Sequence, residues 1–179
     1  MFTQAAILGY HPNTPDFTAK INGTVAADAG GGSIAWTAGP TGGNVVLPDL
    51  SDSANRLNVT AYGFAIPEFA VITGIEMEIS RHNTGTSAAG IGGGYKLLKA
   101  GSAVGILKGD TLMIAPAGGG YAVGTFGSSA DLWGTTWTPA EINASNFGLQ
   151  FATITKNAND GLILLPQFNA MTLKIYYKK

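Results

Sequence analysis

Apolar and polar residues alternate one for one along several short stretches of this chain, and a period of two is the mark of strands with one buried face. The clearest stretch sets Ile75, Met77 and Ile79 against Glu76, Glu78 and Ser80. A second sets Met171, Leu173, Ile175 and Tyr177 against Asn169, Thr172, Lys174 and Tyr176, with a shift near Ala170. In a third, Phe147, Leu149, Phe151 and Thr153 interleave with Gly148, Gln150 and Ala152. Weaker strand candidates lie at 17–26, 33–37, 44–47, 56–64, 95–99, 104–108, 111–115, 121–126 and 161–165. Clusters of Gly, Asn, Asp and Pro separate them, which predicts an all-β, single-domain sandwich over residues 1–179. Residues 1–56 are its less regular part and admit a second reading as an extended arm.

One segment reads as helix. Thr138, Pro139 and Glu141 supply an N-cap hydroxyl, a proline at the first helical position and a carboxylate three residues after the cap. Asn143 and Asn146 end it within about one turn, before Phe147 opens a strand. Pro67 stops the strand before it, so that 71–79 can form a central strand. The last strand pairs from the far end of the chain, and such distant pairings predict Greek-key or jelly-roll wiring.

Composition narrows the chemistry. Hydrophobic residues make up 45% of the 179, enough for a core, while charged residues are 12%, about half the usual share. A net charge of −1 argues against nucleic acid, because neutralising phosphates takes a basic surplus. With no cysteine there are no disulfides, no thiolate catalysis and no cysteine-held zinc. No apolar run reaches the ~18 residues of a membrane helix, and the first ten residues lack the pattern of a secretory signal.

Candidate reactive groups are few. The Gly-rich stretches 30–32, 85–94 and 118–120 are followed by neither Lys-Ser/Thr nor a helical pattern, so they read as loops or sheet edges and not as phosphate cradles. His11 and His82 sit in turn-like settings with no metal-pair spacing and no evident orienting carboxylate. Glu76 and Glu78 share a strand face at a separation that suggests a glycosidase pair, but same-face acids more often mark a solvated sheet surface, and catalytic pairs face each other across a cleft. Asn157, Asn159, Asp160 and Gly161 form half of a calcium loop without its closing Glu, and read better as a hairpin turn. The triplets at 22–24, 58–60 and 143–145 fit the N-glycosylation pattern by composition alone. These residues predict no enzyme, no cofactor and no metal. Trp133 and Trp137, four apart beside Gly134 and Pro139, read as core or interface anchors, with sugar stacking as the alternative.

The segments AYGFAIP at 61–67, ITGIEMEI at 72–79, SSADLWGTTWTPAEIN at 128–143, NFGLQF at 146–151 and LKIYY at 173–177 resemble, in order and spacing, a pattern found in tailed-phage and prophage virion structural proteins. The resemblance covers about two thirds of the chain and carries no catalytic residues with it. It departs in the Gly-rich segment before Leu57 and in 81–94, which reads as an expanded loop. It implies a capsid decoration, cement or other accessory protein that is assembled in the host cytoplasm and located in the virion. Its partners would be the major capsid protein or tail proteins and further copies of itself, a trimer if it sits at capsid threefold positions. Tyr62, Trp133, Trp137, Tyr176 and Tyr177 are the expected contacts, with the basic tail Lys178-Lys179 reaching an acidic neighbour. The alternative is a carbohydrate- or receptor-binding module of a tail or fibre, stacking sugars on Trp133 and Trp137.

Overall fold

The computed structural model describes residues 16–21, 24–27, 45–46, 57–83, 89–115, 121–156 and 166–179. Within them the chain is an all-β sandwich of two antiparallel sheets with one short helix. The strands are β1 (Asp16–Ile21), β2 (Thr24–Ala27), β3 (Val45–Val46), β4 (Leu57–Thr60), β5 (Val71–Asn83), β6 (Ala89–Lys99), β7 (Ser102–Ala115), β8 (Tyr121–Ser128), β9 (Gly148–Lys156) and β10 (Pro166–Lys178). The helix, α1, is Pro139–Asn143. One sheet runs β1-β10-β5-β8, with β3 beside β1 on the same edge of β10; the other runs β2-β4-β9-β6-β7.

The alternation at β5 and β10 explains their pairing. Register sets Ile75 opposite Ile175, Met77 opposite Leu173 and Ile79 opposite Met171, and all six side chains are buried. Glu76 opposite Lys174 and Glu78 opposite Thr172 lie on the outer face. In the second sheet Val59, Leu149 and Leu97 form the matching inward row. These rows meet in one apolar core, each buried aliphatic side chain contributing ~1.5–3 kcal/mol. The pairs are nested: β1 with β10, β4 with β9, β5 with β8, β6 with β7.

Several boundaries differ from the sequence expectation, each for a physical reason. The stretch 17–26 forms two strands in different sheets, so this part of residues 1–56 supplies sheet strands. Strand β4 ends at Thr60, because Ala61 adopts φ 56 and turns the backbone off the ladder; Pro67 instead opens a turn closed by the Ala70 N–H donating to its carbonyl, 3.0 Å. Residues 81–83 and 89–94 are strand where a loop was expected. Glycine carries no side chain to show a period, yet its backbone pairs with β7 and β9. Candidates 104–108 and 111–115 are one 14-residue strand, whose register against β6 shifts twice, between Val104 and Lys108 and between Asp110 and Met113, so that no single alternation runs through it. The expected helical turn is present with its full capping box. Candidates 33–37 and 161–165, the turn at 157–161, His11 and the Gly runs 30–32 and 118–120 lie outside the described residues.

Candidate interaction surface and the plug that supports it

After β8 the chain leaves one sheet and crosses to the other. The Ile75 N–H donates to the Asp131 carbonyl, 2.9 Å, and the Ile106 N–H donates to the Trp133 carbonyl, 2.7 Å, so residues 131–133 tie β5 to β7. Trp133 is fully buried, and its indole N–H donates to the Ile75 carbonyl at 2.9 Å. It sits at φ 58, a region that costs a bulky L-residue about 1–3 kcal/mol and persists only where surroundings enforce it. Its own N–H, carbonyl and indole N–H are all bonded, which is that enforcement. Glycines make the room: a Cβ at Gly105 would strike the Trp133 carbonyl, and one at Gly127 would strike the Ile75 carbonyl. The segment is a plug closing the side of the sandwich.

Trp137 is buried too, donating its indole N–H to the Leu132 carbonyl at 3.0 Å and meeting Phe147 edge-on at 5.4 Å. Asn143 at the end of α1 accepts the Ile66 N–H at 2.8 Å and donates to the Ile66 carbonyl at 2.9 Å. This clamp joins two segments 77 residues apart in sequence, both in the pattern described above. Phe64 stacks with Tyr62 and meets Phe147, so Tyr62 is likewise a core residue, and burial pushes its phenol well above the usual range. Tyr62, Trp133 and Trp137 are therefore not contacts on the surface of this chain, nor can the two indoles serve as sugar platforms. Their neighbours Gly134 and Pro139 signalled a connecting segment, and this one keeps Gly134 and Thr136 exposed while its two indoles are sunk into the core.

Asp131 is the electrostatic hinge of the plug. Its Oδ1 accepts the Trp133 N–H at 2.8 Å and its Oδ2 pairs with Lys108 at 2.7 Å, while the Lys108 ammonium lies 5.4 Å from the Trp133 ring centre. Burial alone raises this carboxyl's pKa, but the Lys108 ammonium and the Trp133 N–H outweigh it and hold it below the usual aspartate value. A depressed folded pKa gives stability present above the unfolded pKa of ~3.9 and lost as pH falls through the folded value. Asp131→Asn is therefore expected to unfold at lower temperature than the parent at neutral pH. The gap should narrow as pH falls below the usual aspartate range and the carboxyl of the parent takes up its proton. Thermal unfolding of both proteins across that range checks it, and a gap independent of pH would refute the role.

Tyr176 and Tyr177 are partly exposed. On the outer face Glu76 accepts from Lys174 at 3.1 Å and from the Tyr176 hydroxyl at 3.2 Å; the Glu76 carboxylate is the main cause of a raised Lys174 pKa. Glu78 on the same face is exposed. Among the described residues no group of three His, Cys, Asp or Glu side chains is placed to hold a metal ion, and no helix is long and apolar enough to cross a membrane.

Among the described residues the large exposed apolar side chains are Phe69, Val71, Ile106, Leu107 and Val123, none of them among the contacts expected from the sequence. Phe69 is 90% exposed in the turn that Pro67 opens. Its flanks are fixed, since Ile66, Ala70 and Ile72 are buried and Ile66 is held by Asn143. A large apolar residue two places after Pro67, beyond any alternating run, was the available signal. No protein-family model matches the chain, and no curated protein matches its sequence.

Proposed function

We propose that the protein is a structural component of a tailed-phage virion, a capsid decoration, cement or other accessory protein that works by packing on other proteins and has no reactive centre. The observation that carries this reading is Phe69, a 90% exposed ring on a turn braced from both sides. An aromatic side chain on a fixed backbone has few torsions left to lose on docking, and interface hot spots are rich in aromatic residues. The sequence pattern supports the same reading, because its two most distinctive segments meet at the Asn143–Ile66 clamp. The nested strand pairs and the orders β1-β10-β5-β8 and β4-β9-β6-β7 support a jelly roll as the wiring, with β2 and β3 as additions. Low charge favours close packing on a capsid surface.

The test begins with the gene's neighbours. If they encode a major capsid protein, empty shells assembled from it are mixed with the purified chain and sedimented. Binding is expected, with Phe69→Ser weakening it by about tenfold or more, and a glycan array is expected to stay blank. Neighbours unrelated to phage assembly, shells that leave the chain in solution, or selective glycan binding would each overturn the proposal, the last in favour of a receptor-binding module.

A further inference from the structure

We draw no further inference here: the strongest candidate, the exposed apolar patch of Phe69 and Val71 where the Pro67 turn enters β5 beside Lys178 of β10, continues the surface already proposed for packing on other proteins, and nothing in the structure shows what covers it.

Discussion

Trp133→Ala is expected to lower stability by ~4 kcal/mol, the middle of the range for truncating a buried aromatic. In a chain of this length that is a fall of about 12 °C in unfolding midpoint. Two effects add. The indole is fully buried between the sheets, so its removal leaves a cavity bounded by strands that pair rigidly and cannot collapse into it. The Ile75 carbonyl, which accepts the indole N–H at 2.9 Å, also loses that partner. Alanine recovers part of the strain at φ 58, but tolerates that region little better than tryptophan. Trp133→Phe separates the terms: it keeps most of the apolar volume, loses the donor, and should cost about 1–2 kcal/mol. Thermal unfolding by circular dichroism measures both. Equal costs for the two variants would mean that the hydrogen bond, and not the filling of the gap, holds the plug.

How much of this was legible depends on what each residue shows of its surroundings. The faces of β5 and β10 were, because Ile75, Met77, Ile79, Leu173 and Ile175 declare a buried side by alternation alone. So was α1, since Thr138 and Glu141 are local partners: the Glu141 N–H donates to Thr138 Oγ1 at 3.3 Å, and the Thr138 N–H to Glu141 Oε2 at 2.8 Å. Strand β6 was half hidden, because residues 90 and 92–94 are glycines whose place is set by backbone bonds to β7 and β9. The plug was hidden for a different reason. Its bonds join Asp131 and Trp133 to Ile75, and Asn143 to Ile66, over separations of 58 and 77 residues for the side-chain bonds. No local pattern reports such distances, and the same isolation from any periodic run made Phe69 easy to overlook.

Gly127→Ala is expected to be strongly destabilising for the addition of a single methyl group. Gly127 adopts φ +84, and a Cβ there would strike the Ile75 carbonyl and come within 2.8 Å of the Trp133 indole nitrogen. The methyl would therefore enter the hydrogen bond that seats the plug, between two groups whose backbones are each fixed by strand pairing or by Asp131. Left-handed backbone costs alanine about 1–2 kcal/mol, and overpacking adds about 1–3. The sum is ~3 kcal/mol, or about 9 °C in midpoint. Gly63→Ala isolates the first part, because Gly63 has a similar φ of +68 with nothing within 4 Å of its added Cβ; it should cost about a third as much. In a Trp133→Phe background the cost of Gly127→Ala should shrink, since the donor it displaces is already gone, and a double-mutant cycle would report coupling of about 1 kcal/mol. Additive costs would show that the methyl is accommodated by a shift of β8 away from the plug, and that the narrow fit between Gly127 and Trp133 is not what closes the side of the sandwich.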